Sequence, residues 1–118
     1  MTELAAEKCE ACTRETPALA AEEVQTLLRD LHEDWTVQSN TLLRREFRFP
    51  TFNAAFTRAT SIAMLAEGEG HHPDMLVGWG RLVVELSTHA IGGLSRNDFI
   101  LAAKIDQLGA AAGSVSGP

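Results

Sequence analysis

The sequence lacks three features that would place it in common functional classes. No apolar run approaches the ~20 residues that a helix needs to cross a bilayer. The first residues, Met1 to Leu4, have neither the basic nor the apolar region of a secretory signal peptide. Basic residues are few, with 10 Lys and Arg against 16 Asp and Glu, whereas nucleic-acid binders draw much of their affinity from basic side chains. We therefore expect a cytoplasmic protein that binds neither membranes nor nucleic acid.

Cysteine is also scarce, and the two cysteines, Cys9 and Cys12, are spaced as C-x-x-C. A redox motif of this kind is expected at a strand-to-helix junction in a βαβ unit, but the surrounding segment is polar and shows no such pattern. Zinc would need further ligands. We interpret the pair as free thiols in a reducing compartment.

The length of 118 residues suffices for one domain with one core and is too short for two. We predict a mobile polar leader over residues 1–18 and a folded domain over residues 19–108. The Gly-, Ala- and Ser-rich tail over residues 109–118 is predicted to be disordered.

Apolar residues at helical spacing predict three helices. The first is marked by a single stripe, namely Val24, Leu27, Leu28 and Leu31. The second follows Thr51 and continues to Glu67, where Gly68 and Gly70 end it. Ser95 begins the third, with Asp98 at the position where a capping box carries its acid.

Segments with a period of two predict two hairpins, one between Trp35 and Phe49 and one between Met75 and Thr88. The element order is then α-β-β-α-β-β-α. Since no βαβ crossover occurs, we predict an α+β fold, a four-stranded antiparallel sheet with three helices packed on one face. Arg45 interrupts the apolar face of its strand, so we expect it at the sheet margin with its charged head in water.

Three of the four histidines lie between residues 71 and 89, each at the end of an element. His71 and His72 follow the glycine-rich end of the second helix, His89 follows the fourth strand, and Asp98 opens the third helix. Element ends often converge on a pocket. Because imidazole titrates near neutrality, one histidine there can donate a proton while another accepts one. This pattern favours an acid/base site.

Each of these residues also has an interpretation without catalysis. The adjacent histidines could form a plain polar loop, or ligate a metal, although loop neighbours seldom point at one ion and no third ligand lies at a standard spacing. Asp98 could be a helix cap alone, a role that is compatible with a catalytic one. Trp79 suits a structural position at a hairpin, and Glu67 a helix end on the pocket rim.

The spaced set as a whole resembles the signature of the pterin-4a-carbinolamine dehydratase family. Its members here are Glu67, His71, His72, Pro73, Trp79, His89 and Asp98. The segments over residues 43–49, 66–74 and 97–106 also resemble that family, and the similarity extends from about Leu19 to about Leu108. In one departure, Ala90 follows His89 where many relatives have an acidic or polar residue.

The resemblance implies a lyase that dehydrates 4a-hydroxytetrahydrobiopterin, left by an aromatic amino acid hydroxylase, to quinonoid dihydropterin. The pterin is then the substrate, and no metal or other cofactor is implied. On the family's pattern, His71 and His89 form the acid/base pair, while Asp98 orients a histidine or accepts a hydrogen bond.

The resemblance also implies a pterin-binding set and an assembly. His72 is expected to hold the pterin beside Pro73, with Glu67 and Trp79 completing the set. The family's pattern implies a homodimer, or a homotetramer with the second helix at its centre. Two alternatives stay open: a non-catalytic dimerisation adaptor for another protein, and a pterin-binding regulatory module.

Overall fold

The computed structural model describes residues 3–10 and 15–116, with side chains described over residues 4–10 and 15–108. Its helices are α1 (Ala21–Leu28), α2 (Phe52–Glu69) and α3 (Arg96–Ser116). Its strands are β1 (Thr36–Gln38), β2 (Leu42–Arg48), β3 (Asp74–Gly78) and β4 (Arg81–Leu86). Two short 3-10 turns, Glu3–Ala6 and His89–Ile91, complete the described elements. The predicted α+β class with three helices and a four-stranded antiparallel sheet is confirmed.

The strands lie in the order β1-β2-β4-β3, and every neighbouring pair is antiparallel. One sheet face joins the core through alternate residues of the two central strands, namely Leu43, Phe47, Leu82, Val84 and Leu86. Side chains of α2 and α3 complete the core, among them Ile62, Phe99, Leu101 and Ile105. Burial of such side chains contributes about 1.5–3 kcal/mol each.

The opposite sheet face carries a network of ion pairs between β2 and β4. Glu46 accepts from Arg81 at 3.1 Å and from Arg48 at 2.6 Å, and Arg44 lies 3.5 Å from Glu85. The most basic segment of the chain is therefore paired with carboxylates of the same sheet.

Arg45 does not lie in water at the sheet margin, as its sequence context suggested. Its side chain is 13% exposed, and Nη1 donates to Asp106 on α3 at 2.7 Å. The guanidinium also lies 4.2 Å from the ring centroid of Phe47. The prediction was wrong because the partner carboxylate comes from a distant helix that folds over the apolar face.

The described part of the leader packs against the domain, while the mobility that we predicted for residues 1–18 stays a prediction. Leu4 is 2% exposed within the core, and its 3-10 turn contacts α3. Lys104 donates to the Ala5 carbonyl at 2.8 Å. Arg96 donates to the two oxygens of the Glu7 carboxylate, from Nε at 2.8 Å and from Nη2 at 2.6 Å. Side chains of α3 thus bind a polar segment that has no periodicity of its own.

Two helix ends also differ from the sequence prediction. Helix α2 passes through Gly68 and ends at Glu69. It is capped by Gly70, whose φ of 69° is the left-handed conformation that glycine adopts readily. Helix α3 continues to Ser116, beyond residue 108 where we had placed the end of the domain. The end of the predicted tail, residues 117–118, lies outside the described residues, as does Cys12.

Within the described residues, no helix combines the length and apolar character needed to traverse a bilayer. The cytoplasmic location stays a prediction.

Candidate active site

A cavity of about 430 Å³ lies where α2 ends, β4 ends and α3 begins. Three histidines line it, His71, His72 and His89. The other lining residues are Glu10, Gly70, Ser87, Thr88, Ala90 and Asn97. This volume falls in the range of small-molecule sites. The structure therefore brings the three predicted histidines together around one pocket.

The end of α2 sets the position of the first two histidines. The Gly70 N–H donates to the Ala66 carbonyl at 2.9 Å, and its left-handed backbone turns the chain away from the helix axis. His71 and His72 follow at once, before Pro73 leads into β3. Any other residue at position 70 would have to adopt this positive φ, in which a Cβ atom causes steric strain that glycine avoids.

His71 is held by a buried carboxylate. Its Nε2 lies 2.6 Å from Oδ1 of Asp98, which is completely buried, while the His71 side chain is 13% exposed. The second oxygen of Asp98 accepts from the Ser95 N–H at 2.9 Å and from the Thr88 hydroxyl at 2.8 Å. With Asp98 acting as acceptor, Nε2 of His71 donates, and Nδ1 is the nitrogen left to exchange a proton.

Asp98 serves as a cap and as a histidine partner at the same time. The expected bond from the Ser95 N–H to the Asp98 carboxylate is present. The hydroxyl of Ser95, however, lies 2.8 Å from the Thr88 hydroxyl, so it joins the side-chain network that surrounds Asp98. The contacts of Asp98 thus include a capping bond and a bond to His71, while its catalytic role stays a prediction.

His72 occupies the open side of the pocket. Its side chain is 57% exposed, and Nε2 lies 3.6 Å from Oε2 of Glu67, itself on the surface. Exposed pairs of this kind add little to stability. His72 is therefore free of the tight anchoring that fixes His71 and is available to a ligand.

His89 begins the 3-10 turn after β4 and is exposed. Thr88 pairs with Gly93 across this turn, with its N–H 2.9 Å from the Gly93 carbonyl. Gly92, at a φ of 64°, closes the turn through its N–H to the His89 carbonyl at 3.2 Å. The loop thereby fixes the backbone of His89 and of Ala90 on the pocket wall.

The remaining residues of the predicted pterin-binding set do not line this cavity. Pro73 and Glu67 flank the histidines just outside the lining. Trp79 is 75% exposed and lies at the β3–β4 turn, at the other end of β3 from the histidines. The five residues of β3 span roughly 15 Å, so Trp79 lies away from this pocket, and its expected role in pterin binding stays a prediction.

Sequence reasoning missed four lining residues, namely Glu10, Ser87, Thr88 and Asn97. Thr88 directly precedes His89, and Asn97 directly precedes Asp98, so their positions in the sequence could have identified them as lining residues. No sequence feature could have identified Glu10, because it lies in a segment without periodicity.

The residues that the structure describes contain no group of three or more His, Cys, Asp or Glu arranged to hold a metal ion. Cys9 is half-buried near the pocket, and burial, with the nearby charge of Glu69, raises the pKa of its thiol to about 12.

Comparison with known proteins gives a consistent result. The sequence model of the family described as "Pterin 4 alpha carbinolamine dehydratase" matches residues 17–108. A protein of Alkaliphilus metalliredigens, provisionally named pterin-4-alpha-carbinolamine dehydratase, is 46% identical over 107 residues, 91% of this chain and 96% of the relative. A Rickettsia bellii protein with the same provisional name is 44% identical over 105 residues, 89% of this chain and 93% of the relative.

Two solved structures resemble the fold. The transcriptional coactivator/pterin dehydratase of Brucella melitensis superposes with a TM-score of 0.70 at 30% identity, covering 76% of this chain and 96% of the other. A pterin dehydratase-like RuBisCO assembly factor of the alpha-carboxysome gives a TM-score of 0.56 at 24% identity, covering 65% and 90%. At this sequence identity, the second comparison shows a similar fold and nothing about function.

Proposed function

The chain belongs to the pterin 4 alpha carbinolamine dehydratase family, and from this premise we propose that it dehydrates 4a-hydroxytetrahydrobiopterin to quinonoid dihydropterin. The observation that carries the proposal is the single pocket lined by three histidines, one of which is anchored to a buried carboxylate. Such a pocket suits an elimination that needs one proton delivered and one proton removed.

The reaction needs one proton delivered and one removed. The C4a–O bond of the substrate breaks, and the leaving hydroxyl takes a proton to depart as water. The ring nitrogen attached to C4a loses its proton, and the electron pair of that N–H bond forms the new C=N bond. A positioned acid or base contributes about 10²–10⁴-fold to the rate of such steps.

We assign the two transfers to His71 and His89. His71 is the better oriented, because Asp98 holds its Nε2 and leaves Nδ1 to exchange a proton. Asp98 also stabilises the imidazolium that forms when His71 takes up a proton, as the buried aspartate of a Ser-His-Asp triad does for its histidine. His89, on the loop after β4, supplies the second proton-transfer group from another wall of the pocket.

We assign substrate binding to His72. It lines the cavity, and its contact with the exposed Glu67 is long, at 3.6 Å. A ring that is not locked in place by the protein can stack on a flat heterocycle or donate a hydrogen bond to it. In this scheme no metal ion takes part, and the pterin is recycled for a hydroxylase.

A second proposal concerns assembly, and it is favoured by exposed apolar side chains on α2. Phe52, Phe56 and Met64 are 48%, 53% and 71% exposed, and the two phenyl rings stack on each other with centroids 6.2 Å apart. A contiguous exposed apolar patch marks a contact site, and the stacked Phe52 and Phe56 form the start of such a patch. We propose that this face pairs copies of the chain. Light scattering that gives only monomer at micromolar concentration would contradict it.

The dehydration proposal is tested by stopped flow. The carbinolamine is generated chemically and mixed with the protein, and its ultraviolet decay is compared with the spontaneous rate. The proposal predicts a decay that accelerates in proportion to protein concentration. An unchanged decay would leave the adaptor and regulatory alternatives as the better explanations.

A further inference from the structure

The carboxylate that holds His71 is itself held by two buried hydroxyl groups, those of Thr88 and Ser95, called here the hydroxyl pair. Oγ1 of Thr88 lies 2.8 Å from Oδ2 of Asp98, and Oγ of Ser95 lies 2.8 Å from Oγ1 of Thr88. Thr88 and Ser95 are 6% and 5% exposed, and Asp98 is completely buried. The two hydroxyls and the carboxylate are thus shielded from water.

The direction of these hydrogen bonds follows from the chemistry of the carboxylate. An ionised carboxylate only accepts, so the Thr88 hydroxyl donates its one proton to Asp98. That hydroxyl can then only accept from Ser95, whose hydroxyl is the first donor of the series. Since each hydrogen bond polarises the next, the Ser95 hydroxyl strengthens the bond that Thr88 makes to the carboxylate.

The charge of Asp98 decides which nitrogen of His71 carries the proton. Charged Asp98 accepts from Nε2, 2.6 Å away, and Nδ1 is then free of a proton. If Asp98 took up a proton, it would donate to Nε2, and the neutral ring would carry its single proton on Nδ1. In that state Nδ1 could not take a proton from the substrate. A buried carboxylate keeps its charge where hydrogen bonds replace the lost water.

Thr88 also belongs to the loop that carries His89. Its N–H donates to the Gly93 carbonyl at 2.9 Å, and its carbonyl accepts the Ile91 N–H at 3.1 Å. These two bonds fix the backbone from which the hydroxyl extends. One residue therefore joins the carboxylate behind His71 to the loop of His89, and it lies in the wall of the same pocket.

We propose that Thr88 and Ser95 are positioning residues whose hydroxyl pair stabilises the charge of Asp98 and so holds His71 in the tautomer with its proton on Nε2, an inference that rests on the proposed dehydratase function. The pair acts without touching the substrate, because the proton of each hydroxyl is donated within the series. Its effect is that Nδ1 of His71 is free of a proton when the substrate arrives.

Nuclear magnetic resonance of the imidazole nitrogens tests the tautomer and requires no turnover. Long-range ¹H–¹⁵N spectra are recorded at a pH where histidine is neutral, and the His71 signals are identified by their loss in His71→Ala. The wild-type chain should show the Nε2–H form, and Thr88→Val should add signals of the Nδ1–H form. Thr88→Ser keeps a hydroxyl and should restore the wild-type spectrum. Thr26→Val, which removes an exposed hydroxyl bonded to the Glu22 carbonyl, is the control.

Kinetics distinguish positioning from substrate binding. Thr88→Val should lower the maximal dehydration rate about tenfold or more and leave KM within about twofold of the wild-type value. Thr88→Ser should stay near the wild-type rate. In an Asp98→Asn background Thr88→Val should lower the rate no further, because the carboxylate through which Thr88 acts is already lost.

A double variant separates this role from simple pairing of two buried hydroxyls. Thr88→Val alone leaves the Ser95 hydroxyl without its acceptor, which is a cost to folding. Combining Thr88→Val with Ser95→Ala removes both hydroxyls together, so this variant should fold, as circular dichroism checks. It should still show the Nδ1–H form of His71. If the hydroxyls only satisfied each other, it would show the wild-type tautomer.

The outcomes separate this inference from the proposed function. If the wild-type chain accelerates dehydration but folded Thr88→Val shows only the Nε2–H form of His71, the role of the hydroxyl pair is wrong and the dehydratase proposal stands. If Thr88→Val changes the tautomer as expected but the wild-type chain does not accelerate dehydration, the pair sets the tautomer and the dehydratase proposal fails.

Discussion

Nε2 of His71 and Oδ1 of Asp98 are 2.6 Å apart, although the two residues are 27 positions apart in the chain. The contact joins the end of α2 to the first turn of α3. Asp98 is completely buried and accepts two further hydrogen bonds, so its position is fixed by the fold. The ring of His71 therefore receives its orientation from α3, while its backbone position comes from the left-handed glycine that ends α2.

The first prediction concerns this contact. Asp98→Asn keeps the shape of the side chain but has one acceptor oxygen in place of two. When that oxygen accepts from Ser95 and Thr88, the amide NH2 group faces His71, which loses its acceptor. We expect the dehydration rate constant to fall about 10²-fold and the free energy of unfolding to fall by about 1 kcal/mol, since a capping charge is lost. Stopped-flow kinetics and urea denaturation measure the two effects. Asp30→Asn, on the surface after α1, should change neither.

The second prediction concerns metals. If the histidines act as bare imidazoles, treatment with EDTA or 1,10-phenanthroline followed by gel filtration should leave the dehydration rate unchanged. The metal content of the purified protein is measured in parallel. Stoichiometric zinc whose removal abolishes activity, with recovery on adding zinc back, would overturn the bare-imidazole mechanism.

The third prediction concerns Cys9. Burial raises the pKa of its thiol from 9.0 to about 12, so folding favours the neutral form. The unfolded chain therefore releases this proton at a lower pH than the folded chain does. As a result, ionisation of the thiol does not affect stability below pH 9, and it lowers stability as the pH rises toward 12. In a Cys12→Ser background, iodoacetamide at pH 8 should modify Cys9 far more slowly in the folded protein than in urea, because the thiolate is the nucleophile.

Replacing both cysteines by serine should leave turnover near the wild-type rate and cost about 1 kcal/mol or less in stability. The Cys9 N–H that Glu69 accepts belongs to the backbone and is kept by serine. A loss of several kcal/mol would instead indicate a structural metal or a disulfide.

Local sequence patterns predicted the features that depend on residues close together in the chain. Periodicity marked the helices and strands, and the spacing of Ser95 and Asp98 predicted the capping bond that the structure contains. The partner of the Ser95 hydroxyl is Thr88, which the fold brings close from another element, and no local pattern encodes that contact.

Contacts between distant segments account for the errors. The alternation in β2 placed Arg45 correctly on the apolar face but could not show that Asp106, 61 residues away, would meet it there. Leu4 is buried although it has no periodic neighbours, because α3 provides the surface against which it packs. The same limitation concealed Glu10, whose place at the pocket depends on Asn97, 87 residues later.

The fourth prediction concerns Asp106. Its carboxylate accepts from Arg45 at 2.7 Å, from the Trp35 indole at 2.8 Å and from the His32 N–H at 2.9 Å. Asp106→Ala leaves these donors without their acceptor and should lower the free energy of unfolding by about 3 kcal/mol. Urea denaturation followed by tryptophan fluorescence measures it. Asp34→Ala, whose contact with Arg45 is exposed and 4.0 Å long, should cost under about 1 kcal/mol.

The fifth prediction concerns the histidines and separates an enzyme from an adaptor. His71→Ala and His89→Ala should each lower the maximal dehydration rate by about 10²-fold if each supplies ordinary acid/base catalysis. His72→Ala should instead raise KM more than it lowers the maximal rate, as expected when binding shared by ground and transition states is lost. His32→Ala, a change at an exposed histidine beside Asp34, is the matched control and should keep wild-type kinetics.

The decisive variant combines His71→Ala with His89→Ala, because two histidines in one pocket can partly substitute for each other in the single variants. Both side chains lie at element ends outside the apolar core, so the double variant should fold, which circular dichroism checks. Its dehydration rate should approach the spontaneous rate while it still binds pterin through the remaining pocket. A folded double variant that turns over at the wild-type rate would show that these histidines are not the acid and base, and the adaptor alternative would gain.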